Sequence, residues 1–292
     1  MSDQANPVVS GSAAVKDHSR AFAEYLFVYP VISRRSRGLS IGINLNPDKI
    51  CNFGCIYCEV DRRTPPRALK VDPARMRQEL VEIIRLVRDG GLIRQSRFSE
   101  AAALATDIKD IAFSGDGEPT MIPNFAECVQ IVAEVKRQEG LDRAKIVLIT
   151  DAAGLDKADV KRGLEIMDAN RGEIWGKLDA GTEAYFKQVN RTTIQFGRIL
   201  KNLLETARVR PMVIQSLFLR VHGERMSEPE LAAYCDRLNE LLQAGAKIKE
   251  VHAYTVARPT PEAYAAALSD SDLEEIAATI RHKTGLPVFT FA

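Results

Sequence analysis

Seven short runs along this chain have strand character, and longer segments with helical spacing separate them. That alternation constrains the fold more than any other feature. The runs are LSIGINL (39–45), DIAFSG (110–115), KIVLIT (145–150), IWGKLD (174–179), MVIQSLFL (212–219), VHAYTV (251–256) and PVFTFA (287–292). Among the intervening segments, one opens with Asp72 as N-cap and Pro73 at the first helical position, and closes at Gly90 and Gly91. Another places Phe125, Cys128, Val129 and Val132 at i, i+3, i+4 and i+7, an amphipathic stripe. Strands alternating with helices imply an α/β fold with parallel strands, because a helical crossover returns the chain to the same edge of a sheet. No glycine-rich dinucleotide fingerprint follows the first run, which favours a complete or partial (β/α) barrel. In barrels the chemistry sits in the loops leaving the strand C-terminal ends.

Composition narrows the class. Forty Lys and Arg against 39 Asp and Glu leave a net charge of +1, which argues against a chain whose main role is coating nucleic acid, though it allows a local basic patch. No apolar run approaches the ~18 residues of a membrane span, so no membrane partner is expected. The stretch MSDQANPVVSGSAAVKDHSR lacks the basic start and apolar region of a secretory signal. Residues 1–24 read as a disordered tail and 25–292 as one barrel domain. The expected location is cytoplasmic, where clustered cysteines indicate metal binding or redox chemistry rather than disulfides.

Three of the five cysteines fall within CNFGCIYC (51–58), in the loop after the first run. Thiolates are soft anionic ligands suited to zinc or to an iron–sulfur cluster. A structural zinc closes its tetrahedron with four protein ligands, and here no fourth Cys or His is near in sequence; His18 and His222 are remote, although folding can bring a distant residue in. A cubane cluster normally takes four cysteines. Three on one loop leave one iron open, and an open position is the mark of catalysis. Cys128 and Cys235 sit on apolar helix faces and read as small buried hydrophobes, too few for a second cluster.

The Cx3Cx2C spacing, with Tyr57 just before the last cysteine, resembles the signature of the radical S-adenosylmethionine superfamily. The resemblance implies a partial (β/α)6-type barrel and a 4Fe–4S cluster on Cys51, Cys55 and Cys58. It also implies S-adenosylmethionine on the open iron, with Tyr57 against its adenine. Reductive cleavage then yields a 5′-deoxyadenosyl radical that abstracts hydrogen from a substrate, with flavodoxin or ferredoxin as the one-electron donor. The segment FSGDGEPT (113–120) resembles the family's Gly-Gly-Glu turn, with Gly115, Asp116, Gly117 and Glu118 as candidate cofactor contacts and Asp116 standing where a glycine is common. Glycine there lets the backbone come close to a ligand and take positive φ where needed.

Other candidates come from strand ends. Asp151 in LITDA is either a ribose contact or a helix N-cap. Lys177 and Asp179 in KLDAG share a face as i and i+2, either as an interior ion pair or as contacts to the cofactor carboxylate or substrate. Gln215 in MVIQSLF needs a partner within an apolar strand, from the cofactor or a neighbouring side chain. Further stretches, YPVISRRSRGLSIGINLNP, KLDAGTEAYFKQVNR and VHAYTVARPTPE, look like short radical proteins near the tRNA wyosine-synthase branch. Two substrate classes are compatible with that: RNA, with Arg34, Arg35, Arg37, Arg62, Arg63 and Arg67 as phosphate contacts or simply a solvated face, and protein. The alternative class is an iron–sulfur electron carrier or a zinc-stabilised binding module.

Overall fold

In the computed structural model, which describes residues 22–258 and 260–292, ten strands appear. They are β1 (Val28–Ser33), β2 (Gly38–Ile43), β3 (Ile108–Phe113), β4 (Lys145–Thr150), β5 (Gly172–Lys177), β6 (Met212–Leu217), β7 (Arg220–Val221), β8 (Ile248–Tyr254), β9 (Ala265–Ala266) and β10 (Val288–Phe291). The main sheet has the order β1-β2-β3-β4-β5-β6-β8-β10, and β7 pairs with β9 in a small separate ribbon. From β2 to β10 every pairing in the main sheet is parallel, as the alternation of runs and helices requires. The exception is β1, which folds back on β2 as an antiparallel edge. Its sequence, VYPVIS, contains Pro30, which cannot donate to a ladder and is tolerated only at an edge or bulge. That proline hid the strand from periodicity.

The helices are α1 (Pro73–Arg88), α2 (Phe125–Gln138), α3 (Ala158–Asp168), α4 (Glu183–Asn190), α5 (Phe196–Val209), α6 (Glu228–Gln243) and α7 (Asp270–Thr284), with two single-turn helices between α1 and β3. Asp72 caps α1 as expected, its carboxylate accepting the Ala74 and Arg75 amides. The helix buries Met76, Leu80, Ile83, Ile84 and Val87, one apolar stripe, toward the sheet. Residues 1–21 of the expected tail lie outside the described residues, whereas Phe22 is buried against Phe98. Among the described residues no helix is long and apolar enough to cross a membrane.

The sheet curls into a partial barrel. Tyr29 on β1, Ser40 on β2, Trp175 on β5, Gln215 on β6 and Phe291 on β10 all line one cavity of about 330 Å³. Side chains from both edges and from the middle of the sheet reach one space only if it wraps around that space. Ala112, Val147, Trp175 and Val213 form a small apolar layer of their own, separate from the larger core. No ladder joins β1 to β10; the Arg34 guanidinium, just past β1, donates to the carbonyl of Ala292, just past β10.

One helix side chain fixes the edge strand. Glu79 of α1, buried to 3%, accepts the backbone N–H groups of Leu26, Phe27 and Val28 and the Arg75 guanidinium. Removing it leaves three amides without an acceptor. We expect Glu79→Ala to lower the unfolding free energy by about 3 kcal/mol, and Glu79→Gln, which keeps an acceptor, by less. Denaturant titration of the variants measures this, and an unchanged midpoint for the alanine would refute the clamp.

Candidate functional site

The cysteine loop leaves β2 and is pinned by the end of α4. The amides of Gly54 and Ile56 donate to the carbonyls of Asn190 and Val189, at 3.0 and 2.9 Å, and the Thr192 hydroxyl donates to the Asn52 carbonyl. These helix-terminal carbonyls have no partner within α4, so the loop completes the helix while the helix shapes the loop. Cys51, Cys55 and Cys58 all line the central cavity. Each sulfur has a nitrogen donor: the Phe53 amide at 3.5 Å, the Asn190 amide Nδ2 at 3.4 Å and the Arg62 guanidinium at 3.7 Å, respectively. Donors of this kind suit sulfur that carries negative charge. Burial pushes the Cys51 thiol up to about 12 and the Cys55 thiol up to about 11, so a cation must accompany their thiolates at neutral pH. Among the described residues no three such side chains converge on one ion position. A cube offers each cysteine a different iron, so its ligands share a space rather than a point, and the donor set fits such a group.

The Gly-Asp-Gly-Glu turn leaves β3 beside this loop. A Cβ on Gly117 would overlap the Ile50 carbonyl and the Asn46 side chain, and one on Gly115 would overlap Asn44. Neither glycine has positive φ, so their function is close approach and not an unusual backbone conformation. Asn44 binds the turn from both sides of its amide: Nδ2 donates to Asp116 at 2.8 Å, and Oδ1 accepts the Asp116 amide at 3.1 Å. β3 ends at Phe113, and Pro119 starts a short 3₁₀ turn after the loop.

Glu118 is buried to 3%. Its Oε1 accepts the Thr120 amide and the hydroxyls of Thr120 and Thr150, while Oε2 accepts the Asp151 amide. It therefore locks the ends of β3 and β4 together. Asp151 does not cap a helix; α3 is preceded by Lys157, and Asp151 instead accepts the Ala153 amide in a local turn. Its other oxygen, Oδ2, is buried without a partner. Burial raises both carboxyls, Asp151 well above its usual range with the neighbouring Glu118 adding to the shift, because two desolvated carboxylates resist ionising together.

Asp179 draws a third set of residues together. Its Oδ1 accepts the Leu217 amide at 2.9 Å, and its Oδ2 accepts Asn190 Nδ2 at 3.0 Å and the Tyr57 hydroxyl. Lys177 stands 3.5 Å from the same oxygen and donates to the Tyr254 hydroxyl at 2.6 Å. Burial works against the lysine's charge, but Asp179 and Tyr254 outweigh it and hold its pKa above the usual lysine value. The Lys177 ammonium lies 5.0 Å from the Tyr57 ring centroid. Of the two readings of this pair, the ion pair is present, and both Lys177 and Tyr57 also line the cavity. Gln215 lines it too, with Nε2 lacking a partner.

The arginine stretch is not one face. Arg34 is spent on Ala292, Arg62 on Lys49 and Cys58, and Arg67 on Tyr25 and Glu24. Arg37 is exposed at the hairpin turn, and Arg35 points inward over aromatic rings. His222 stacks on Tyr264 outside the cavity lining, and His18 lies outside the described residues. Cys128 and Cys235 are fully buried, as expected. Sequence reasoning missed Asn44, Asn46 and Asn190; the two strand-end asparagines of INLNP, where a buried amide needs partners, were the available signal.

The raised pKa of Asp151 has a signed consequence. The folded state holds the proton more tightly than the unfolded state, so stability falls as pH rises above the ordinary aspartate range. Asp151→Asn should therefore unfold at a higher temperature than wild type at pH 8, with the gain shrinking toward pH 4. Thermal melts across pH decide it; a gain independent of pH would mean the carboxyl does not titrate this way.

No family model matches the chain. The chain is 25% identical over 254 residues to a GTPase Obg of Brachyspira hyodysenteriae, covering 84% of this chain and 32% of that protein. It is 25% identical over 234 residues to a UPF0026 protein of Helicobacter pylori, covering 79% of this chain and 66% of that one. It thus spans about a third of the first relative and just under two thirds of the second. A solved structure of TYW1 with a lysine-pyruvate adduct bound superposes with a TM-score of 0.48 at 15% identity, over 85% of this chain and 74% of that one.

Proposed function

We propose that this chain is a radical S-adenosylmethionine enzyme. In this reading Cys51, Cys55 and Cys58 hold a 4Fe–4S cluster, and the turn at Gly115–Glu118 receives the cofactor's methionine end. The observation that carries the proposal is a shared cavity: all three sulfurs and that turn line it, and the turn is pressed against the loop that bears the first cysteine. When bound, the cluster supplies the electron that splits S-adenosylmethionine into methionine and a 5′-deoxyadenosyl radical, which takes hydrogen from the substrate.

The protein's own groups suit that task. The nitrogen donors on the three sulfurs stabilise thiolate charge. Glu118 accepts a single hydrogen bond on Oε2, which leaves that oxygen capacity for an ammonium donor. Lys177 is held charged at the cavity wall, where it faces an incoming carboxylate. Ala112 and Trp175 of the small apolar layer line part of the cavity wall. A flavodoxin- or ferredoxin-type donor belongs to the proposal, since reduction must precede cleavage. An electron carrier needs no such cavity. A zinc module needs a fourth ligand, and His222 is engaged with Tyr264.

The test is anaerobic reconstitution with iron and sulfide, followed by dithionite and S-adenosylmethionine, with mass spectrometry for 5′-deoxyadenosine. We expect the nucleoside from wild type and neither product nor cluster absorbance from Cys55→Ala. A loaded cluster that neither binds S-adenosylmethionine nor releases 5′-deoxyadenosine would overturn the reading. Glu118→Gln should retain the cluster absorbance and bind S-adenosylmethionine about tenfold more weakly, as expected for one hydrogen bond to a charged group. Equal affinity in equilibrium dialysis would remove Glu118 from the cofactor's contacts.

A further inference from the structure

Arg35 has no part in holding the cluster or the turn, and its setting calls for an occupant. The tight turn between β1 and β2 lies at the N-terminal end of the parallel strands, opposite the end from which the cysteine loop departs. From there Arg35 reaches across the curl to β5 and β8. Its guanidinium carbon lies 5.4 Å from the Trp175 ring centroid and 5.2 Å from that of Tyr254. Two aromatic rings thus hold the cation. Its hydrogen-bonding edges stay unused: among the described residues the guanidinium has no hydrogen-bond or ion-pair partner. Asp110 and Glu59 are the carboxylates whose charge it feels, and each is engaged elsewhere, Asp110 with the Ser40 hydroxyl and Glu59 with Arg258. Arginine stays charged in such a place, so the unmet donors call for an acceptor.

A second unmet donor faces the same space. Gln215 is 1% exposed, lines the cavity and has a partnerless Nε2. In register it sits beside Lys177, two residues along the strand from Val213, which pairs with Trp175. Planar guanidinium edges with a neighbouring amide form a receptor for a planar or tetrahedral oxyanion. A cavity of about 330 Å³ is at the scale of a small molecule.

The geometry points to an oxyanion seat on Arg35 and Gln215 for the carboxylate or phosphate of a small-molecule substrate. The inference rests on the radical-enzyme reading only in calling the occupant a substrate; the anion seat itself needs no cluster. The seat is walled by Trp175 within β5 and by Tyr254, the last residue of β8, whose hydroxyl accepts a hydrogen bond from Lys177.

The chain carries its own reporter, because Trp175 is its single tryptophan and packs against Arg35. The full-length protein is titrated with inorganic phosphate and, separately, with succinate, against sodium chloride at matched ionic strength, while tryptophan emission is followed. Wild type and Arg37→Gln should give a saturable change, and Arg35→Gln should bind about tenfold more weakly or not at all. Saturation by phosphate alone assigns a phosphate, and by succinate alone a carboxylate. If neither saturates, or if Arg35→Gln responds as wild type does, the seat is refuted. Circular dichroism checks that Arg35→Gln folds; should it not, Gln215→Met replaces it, and undiminished binding there refutes the second donor. S-adenosylmethionine abolishing the response would give Arg35 to the cofactor and overturn the proposal. Because the titration uses no cluster, its failure is distinct from failure to form 5′-deoxyadenosine.

Discussion

The carboxylate of Asp179 is the junction on which the site depends. It is buried to 3% and touches four separate parts of the chain: the end of β6 through Leu217, the cysteine loop through Tyr57, the end of α4 through Asn190, and β5 through Lys177. A buried carboxylate with unmet lone pairs costs several kcal/mol, which makes this convergence obligatory. Each partner is also placed by it. Tyr57 is fixed between the cysteines, Asn190 is aimed at the Cys55 sulfur, and Lys177 is held upright at the cavity wall. The loop that carries the sulfurs is thus tied, through Tyr57, to an aspartate just past the end of β5.

A similar logic recurs elsewhere. Glu118 ties the ends of β3 and β4, Glu79 ties α1 to β1, and Glu230 on α6 accepts the amides of Gly181 and Thr182 after β5. In each case a buried acid closes a place where the chain passes between elements, where backbone amides would otherwise lack acceptors. The close approach of Gly117 to Ile50 and of Gly181 to the backbone of Tyr234 belongs with these clamps, since both need the absence of a side chain. The strands supply the frame, and carboxylates at their ends determine how the loops sit upon it.

Much of this was legible in the chain itself. The seven parallel strands followed from the alternation of runs and helices, and the cysteine loop and the Gly-Asp-Gly-Glu turn stood out by spacing and by position at strand ends. What stayed hidden was hidden for physical reasons. The edge strand β1 was masked by Pro30. The glycines of the turn were expected to allow both close approach and positive φ; only close approach is used, and the asparagines they approach, Asn44 and Asn46, could not be placed beside them from sequence. Asn190 and Arg35 act across 135 and 140 residues or more of chain, on Cys55 and Trp175 respectively, and no local pattern encodes such a meeting. Asp151 was read equally as cap or contact, and the long gap to α3 decided against the cap.

The seam between β1 and β10 differs from every other neighbour relation in the sheet. Each adjacent pair of strands is joined by a ladder, whereas these edges meet through the Arg34 side chain and the Ala292 carbonyl. Parting two laddered strands breaks several backbone bonds in concert, whereas among the described residues no ladder joins these two. Among the described residues this seam is where the sheet's two edges meet without a ladder, and it adjoins the hairpin that carries Arg35. The wall beside the two aromatic rings is thus closed by side chains, Arg34 and Arg35, where the rest of the sheet is closed by backbone.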